Sequence, residues 1–597
     1  MIEHAADTTG RVRFATFELD VRSRELRNGT RRVRLQEQPF EILKIMLERP
    51  SEVVTRDELR QRLWPQGTFV DFEHGLNAAV KRLRAALGDD ADNPRFIETL
   101  PRRGYRFIAP LNGGSTARET TITPQHQTEI RLAVLPFTNL SDDPAQDYFS
   151  DGLTEELIAQ LGTTGRGRIG VIARWSSMAF KGTSQRAREI GDTLRAGYLL
   201  EGSVRCDGDR LRITTRLIHA ATETQLWSES YERDLSKCRS MTSGTLSVQT
   251  DVASRVARSL ALELVPSAVS LQATPTLAGS AYQSYLKGRY HWNTRGPEGL
   301  DDALAHFSRV VAQEPTFGAG HAAMARAEIA SAEYYREIPR VALERAAVAA
   351  QRAVALDPES AEAHLALGDA HRRVRWDWRS AESEYAHAIR LNPSCDPAHR
   401  SYGLMLAALG RSDEAIREVD RACELDPLCL IALLAAAWMR YAVGDYEHAI
   451  ERCRQIIDVD PGRVAAHRQI AAALLQCGLR DEAIAALETS LTMAPDDTVA
   501  LAWLAHARSI AGDSAAARTL MQQLRELGRY VSPYNLALAH AGIGDVDMAF
   551  ATLDEAFVDR DPMLENITIE PRFQPLRQDA RYETLCARLS LAAHASA

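Results

Sequence analysis

Gly410, Gly444, Gly478 and Gly512 lie 34 residues apart, and so do Ala415, Ala449, Ala483 and Ala517, and Pro393, Pro427, Pro461 and Pro495. Pro358 and Pro315 carry the series upstream at intervals of 35 and 43, the longer one marking an insertion. Gly544 and Ala549 mark a later, shortened unit. The physics of such a period is direct. Glycine permits a tight turn, alanine lets a second helix approach the first, and proline ends that helix before the next unit begins. Each unit buries its apolar face only by stacking on its neighbours. Residues 278–590 are therefore expected to form an all-α solenoid of about seven or eight helical hairpins.

This arithmetic resembles the tetratricopeptide repeat. Some members of that family clamp a C-terminal carboxylate with Lys and Asn on their inner helices. The matching positions here are Arg400, Leu434, Arg468 and Ala502, then Leu404, Trp438, Ala472 and His506. They do not make such a clamp. Trp438, Tyr441 and Trp503 remain open to two readings, an apolar peptide groove or core packing.

The rest of the chain has a different grammar. Its charge is −9 overall, but residues 1–110 hold 20 Lys and Arg against 17 Asp and Glu, a net of +3. A basic head on an acidic body points to a polyanionic partner for the head. Val70–Asp90 reads as a helix with Leu76, Val80, Leu83 and Leu87 on one stripe. The other side carries His74, Ala78, Lys81, Arg82 and Ala85, flanked by Asn77 and Arg84, with no acid between Asn77 and Leu87. Helices over Gln38–Leu47 and Arg56–Trp64 precede it, the latter capped by Thr55. Strands Phe96–Leu100 and Tyr105–Ala109 follow, joined by Pro101-Arg-Arg-Gly104. Strand pieces Phe14–Asp20 and Glu25–Leu26, with Asn28-Gly29 as a turn, make a small sheet in front.

Phe17-Glu-Leu-Asp20, Arg24-Glu-Leu26, Phe40-Glu-Ile-Leu43, Val53-Val-Thr-Arg56, Leu63-Trp64, Val80-Lys-Arg-Leu-Arg84 and Arg103-Gly-Tyr-Arg106 together resemble the OmpR/PhoB-type winged-helix DNA-binding domain. The resemblance implies that the third helix enters the major groove with Asn77, Ala78, Lys81, Arg82 and Arg84. It implies that Arg102, Arg103 and Arg106 belong to a wing on the adjacent minor groove or backbone. Double-stranded DNA is then the partner, and the loop Pro65–Asp71 corresponds to one that contacts RNA polymerase. The start of the third helix, "FEHGLN", departs from the family pattern. Only about ten residues precede this domain, so a phosphoacceptor receiver is not expected ahead of it. The order of parts resembles one-component regulators of the CadC/HilA kind.

A linker is expected at 111–128, rich in Gly, Ser, Thr and Gln. Residues 129–265 read as an α/β module: strand Leu132–Phe137, a helix capped by Asp151, strand Ile169–Ala173, a helix near Ser184–Leu194, and a hairpin turning at Asp207-Gly208. A helix over Thr242–Leu264 closes it. Leu132-Ala-Val-Leu-Pro-Phe137 and Phe149-Ser-Asp-Gly-Leu-Thr154 resemble the TolB N-terminal-like module, which implies no chemistry.

The reading is thus multidomain: an α+β winged helix-turn-helix over 10–110, the α/β module, then the tetratricopeptide solenoid. No catalytic motif stands out. Gly165-Arg-Gly-Arg-Ile-Gly170 matches a dinucleotide fingerprint in letters, but that motif needs a strand before it and a helix after it, and here the order is reversed. The eight cysteines form no zinc spacing, and no cofactor or metal is expected. The longest apolar run, Leu428–Met439, is shorter than the roughly 20 residues of a membrane span. With no signal peptide seen, the expectation is a cytoplasmic, non-enzymatic, sequence-specific DNA-binding transcriptional regulator. Its repeats would take a protein, a peptide or a second copy of the chain. The alternative is a repeat scaffold whose winged helix no longer reads specific DNA.

Overall fold

The computed structural model describes residues 11–14, 17–20, 23–28, 31–33, 35–48, 53–63, 72–87, 89, 96–100, 104–107, 130–141, 147–164, 169–207, 210–234, 252–257, 259–260, 279–294 and 297–591. The chain divides into two compact units, 1–125 and 126–597.

The first unit opens with an antiparallel sheet, β1 (Arg11–Phe14), β2 (Phe17–Asp20), β3 (Glu25–Asn28) and β4 (Arg31–Val33), paired in chain order. Asn28 pairs with Arg31, so the β3–β4 hairpin closes on two residues, 29 and 30, and Asn28, expected in the turn, ends β3. Three helices follow, α1 (Glu37–Glu48), α2 (Arg56–Leu63) and α3 (Phe72–Leu87). The Thr55 hydroxyl caps α2 by accepting the Glu58 N–H at 3.2 Å. Leu76, Val80, Leu83 and Leu87 of α3 are buried with Phe40, Leu43 and Phe107, so the stripe read from the sequence is the core. The wing strands are β6 (Ile97–Leu100) and β7 (Gly104–Phe107). A third strand, β5 (Val53–Thr55), pairs with β7 and is not among the elements the sequence predicts. It explains Gly104. A Cβ there would lie 2.1 Å from the Val54 carbonyl oxygen, so the close approach of β5 demands glycine, where the sequence suggested only a bend.

The second unit begins with a mixed sheet in the order β10-β8-β11-β12-β13. These are β8 (Ile130–Val134), β10 (Ile169–Val171), β11 (Tyr198–Asp207), β12 (Arg210–His219) and β13 (Thr224–Asp234), with the short β9 (Thr138–Asn139) beside β11. Asp207 pairs with Arg210, so the hairpin expected here forms, with Asp207 as the last residue of β11 and two residues, 208 and 209, between the strands. Helix α4 (Asp147–Thr164) starts earlier than the expected cap at Asp151. Asp151 lies inside the helix and accepts Lys181 Nζ at 2.9 Å. Short helices α5 (Arg174–Met178) and α6 (Ala187–Leu194) complete the connections. Strand β13 escaped sequence reading because its residues are mostly polar and exposed.

Eight helical hairpins run from Gly279 to Asp559. Gly444, Gly478 and Gly512 sit at φ of +83°, +78° and +93° with open space around them. Backbone handedness, which side chains with a Cβ resist, fixes these residues. Ala415, Ala449, Ala483 and Ala517 are all buried. A second regularity was missed: His321, His364, His399 and His467 donate through Nε2 to the carbonyls of Pro315, Pro358, Pro393 and Pro461, six residues earlier, at 2.8–3.1 Å. The proline turn thus gains a buried partner.

The C-terminal residues 561–591 lie against the first helices of the hairpins. Arg372 donates through Nε to Glu565 at 2.8 Å and through Nη2 to its other oxygen, both side chains being at most 4% exposed. Tyr441 OH donates to Glu570 at 2.7 Å, and Arg572 stands 4.0 Å from the Trp503 ring centroid. Thr568 Oγ1 donates to the Ala408 carbonyl, and Trp378 Nε1 to that of Leu589. The aromatic residues that were open to a groove or a core reading are therefore core: Trp438, Tyr441 and Trp503 are all under 8% exposed. The irregular intervals also find a purpose. The insertion between Pro315 and Pro358 carries Tyr335, which donates to Asp561 at 3.0 Å and stacks on Tyr530. The π-helical turn His371–Arg375 carries the buried Arg372.

Two outcomes are expected. Arg372→Ala strands a buried carboxylate and should cost about 3–5 kcal/mol, whereas Arg372→Met/Glu565→Leu removes both charges and should cost less. Urea unfolding followed by circular dichroism measures both, and an Arg372→Ala midpoint equal to the parent's would refute the role of the pair. His506 is the second case. Burial, and then nearby Arg572, push its pKa down to about 4, while its Nδ1–H donates to the Leu538 carbonyl at 2.8 Å. The unfolded chain binds this proton near pH 6.5 and the folded chain does not, so stability falls as pH drops from about 6.5 towards 4. His506→Gln keeps a donor and should flatten thermal stability between pH 7 and 5.

Candidate nucleic-acid interface

Helix α3 and the wing are joined by side chains before any ligand is considered. Tyr105 of β7 donates its OH to Asn77 Oδ1 of α3 at 2.8 Å. Arg56, at the start of α2, reaches both partners: Nη1 to Asn77 Oδ1 at 3.4 Å and Nη2 to Tyr105 OH at 3.3 Å. Its guanidinium also stands 5.3 Å from the Tyr105 ring centroid. This three-way contact fixes where the helix and the hairpin lie relative to each other. Sequence places Arg56 at the start of a helix and in a family motif, and its separation of 21 residues from Asn77 gives no sign of the contact.

The eight expected contact residues separate into groups. Asn77, Lys81 and Arg82 are exposed on α3, and Ala78 is half-buried beside them. Arg82 donates to Gln36 Oε1 at 2.7 Å, which holds its guanidinium near the start of α1. Arg84 does not face a groove. Its side chain is 11% exposed, and Nη2 donates to the Ile97 carbonyl at 2.6 Å and to Thr99 Oγ1 at 2.8 Å. Its partner Asp89, 3.8 Å away, accepts the backbone N–H groups of Phe96 and Ile97 at 3.1 and 2.9 Å. The reason is periodicity: Arg84 follows Leu83 on the flank of the buried stripe, where the β6 backbone offers acceptors. In this position it supports the wing strand β6. Arg106 is half-exposed and paired across the hairpin with Glu98, Nε to Oε2 at 2.8 Å, so its charge is already balanced. Arg102, Arg103 and the loop Pro65–Asp71 lie outside the described residues.

The face left on α3 carries Lys81 and Arg82 beside Asn77 and the small Ala78, with no acid between Asn77 and Leu87. It suits the floor of a major groove, where phosphate contacts fix register and base-edge contacts carry sequence. The fingerprint-like Gly165–Gly170 stretch follows α4 and runs into β10, the reverse of the order a dinucleotide site needs. Among the described residues no group of His, Cys, Asp and Glu could hold a metal, and no helix is long and apolar enough to cross a membrane.

Comparison with known proteins agrees with these parts. Residues 29–107 match the family "Transcriptional regulatory protein, C terminal", and 127–247 match "HilA/YgeH-like transcriptional regulator, second domain". Residues 377–428 and 440–497 match tetratricopeptide repeat families. The chain is 24% identical over 439 residues to the transcriptional regulator HilA of Salmonella typhimurium, covering 73% of this chain and 74% of that protein. It is 30% identical over 267 residues to a Rhizobium meliloti protein named "Putative adenylate cyclase 3", covering 44% of this chain but only 43% of the relative. Among solved structures, a thermophilic tetratricopeptide protein of Thermus thermophilus is 20% identical over 33% of this chain and 99% of its own, with a TM-score of 0.28.

Because Arg84 supports the wing from below, Arg84→Ala should lower the stability of the first unit by roughly 1–3 kcal/mol, the cost of leaving buried acceptors unmet. Hydrogen exchange of the Ile97–Leu100 amides in the intact chain reads this directly. Unchanged protection there would remove Arg84 from the support of the wing.

Proposed function

We propose that this chain, composed of an OmpR/PhoB-type DNA-binding domain, a HilA-like second domain and a tetratricopeptide array, regulates transcription by binding promoter DNA with sequence preference. The observation that carries the reading is the α3 surface: Lys81 and Arg82 exposed, no acid between Asn77 and Leu87, and the wing pinned beside it by Tyr105 and Asn77. In this reading Lys81, Arg82, Asn77 and Ala78 meet the major groove, and Arg102 and Arg103 meet the backbone from the wing tip. Arg106, balanced by Glu98, contributes less. The families matched are regulators and repeats, and the reading assigns the chain no enzymatic step.

The array supplies a surface for protein contacts. Since residues 561–591 cover its inner helices, partners are placed on its outer helices and turns, with RNA polymerase or a second copy of the chain as the occupants to test. The same reading has the chain act in the cytoplasm.

Gel-shift and fluorescence titrations with the intact protein on its best genomic site test the reading. Lys81→Ala/Arg82→Ala should weaken that site by about 10–100-fold, the scale of a lost base-edge or phosphate pair, and unrelated DNA by much less. Arg102→Ala/Arg103→Ala should reduce the slope of log affinity against log salt by about 2, at roughly 0.9 per phosphate neutralised. Sequence preference should survive in that second variant. Parent-like binding by the first double variant at physiological salt would sink the recognition-helix assignment.

A further inference from the structure

The α/β module is seated on the repeats by buried polar contacts. Ser176 gives both its N–H and its O–H to Asp426 Oδ1, at 2.9 and 2.6 Å, and its Oγ accepts the Leu428 N–H at 2.8 Å. The Ala173 N–H reaches the Leu425 carbonyl at 2.8 Å, and the Val171 N–H reaches Ser394 Oγ at 3.1 Å. The seat does not close completely. Between α4, the start of α5 and the first helices of the array lies a cavity of about 160 Å³. Tyr285 and Phe307, both buried, and the half-buried Trp175 and Trp292 give it an aromatic wall.

Its charges are unequally matched. Glu155 is held by Arg289 and lies 3.6 Å from Arg174 Nε. Arg289 also donates to Tyr285 OH at 3.2 Å and lies 3.9 Å from Glu362. Burial pushes the Glu362 pKa up, but Arg289 and Arg326 outweigh it and hold the carboxyl below its ordinary range. Asp426 is occupied by Ser176, and Asp396 sits in the first turn of the helix Asp396–Ala408, where backbone amides favour its charge. Burial pushes the Cys395 thiol up to about 12, so it stays neutral. Two N–H-bearing groups face these carboxylates without a hydrogen-bond acceptor among the described residues. Arg326 acts on Glu362 from beyond ion-pair distance, donates no hydrogen bond among the described residues, and stands 5.6 Å from the Trp292 ring centroid. The Arg174 Nε–H is buried and lacks a hydrogen-bond acceptor. A buried donor without an acceptor is costly, and a guanidinium with open edges is matched by a carboxylate.

The geometry points to a binding site for a small aromatic carboxylate, its charged end on Arg326 and its ring among Trp292, Tyr285 and Phe307. The volume sets the size: a cavity of about 150 Å³ accepts benzene, so the ligand is monocyclic. An amine of the same shape would bring a fourth cation beside Arg174, Arg289 and Arg326, and each of the four lining carboxylates is already engaged: Glu155 and Glu362 by arginines, Asp426 by Ser176, and Asp396 by the start of its helix. The walls come from both the α/β module and the array, so an occupant bridges the two. This site goes beyond the DNA-binding reading and does not rest on it.

Isothermal titration and tryptophan fluorescence of the full chain, without DNA, test the site with three probes of one shape: phenylacetate, phenylacetamide and 2-phenylethylamine. Saturable binding of phenylacetate is expected, at least tenfold tighter than either of the others, with a rise in melting temperature. Arg326→Gln should lose at least tenfold in phenylacetate affinity. Ala323→Met, which keeps Arg326 and fills the cavity from the wall, should abolish binding, so the outcome does not hang on one variant folding. Equal binding of the amide or the amine would overturn the assignment. So would an Arg326→Gln affinity equal to the parent's, or no saturation by phenylacetate on the order of 10 mM, a range that still detects millimolar affinity.

Discussion

A stack of helical hairpins has one inescapable problem: its inner helices present an apolar face that stacking alone does not cover. In this chain the residues after the last hairpin lie on that face, and the buried Arg372–Glu565 pair is the contact on which their placement turns. A buried ion pair is a poor source of net stability, because desolvation offsets most of the attraction. It is a strict specifier of position, because a misplaced partner leaves a charge alone in the core. Tyr441 with Glu570, and Arg572 over Trp503, repeat the device further along. The result is an array whose second and eighth hairpins are tied through Tyr335, Ser532 and Asp561.

The same turns that end each repeat also seat the α/β module. Ser394 follows Pro393, and Asp426 precedes Pro427. Proline removes a donor and exposes the carbonyls and side chains around it, and β10 and α5 use those groups as partners. The module and the repeats are therefore mechanically coupled at these turns. In the DNA-binding unit the analogous economy is Arg84 with Asp89. Together they satisfy the β6 backbone, and the wing is held from the C-terminal end of α3.

Much of the DNA-binding unit was legible because its signals are local. The stripe Leu76, Val80, Leu83 and Leu87, the cap at Thr55 and the two-residue hairpin all follow from neighbours in sequence. Arg84 was misassigned for the opposite reason. Counting residues around a helix places it at the border between core and surface, and only the position of the Ile97 carbonyl decides which side it takes. Strand β5 was missed because three residues carry too little periodicity to be told from a loop.

The sequence by itself determined the repeat. A 34-residue period fixes a helix pair, a left-handed glycine turn and a small-residue contact, since each depends on residues within one unit or the next. It also determined the basic character of α3 and the order of the parts. Only the tertiary structure decided what covers the inner helices, where the α/β module sits, and which arginines remain available. Those outcomes depend on pairs such as Arg372 and Glu565 or Ser176 and Asp426, about 200 residues apart or more, and a pairing of that kind leaves no spacing in the chain to be read.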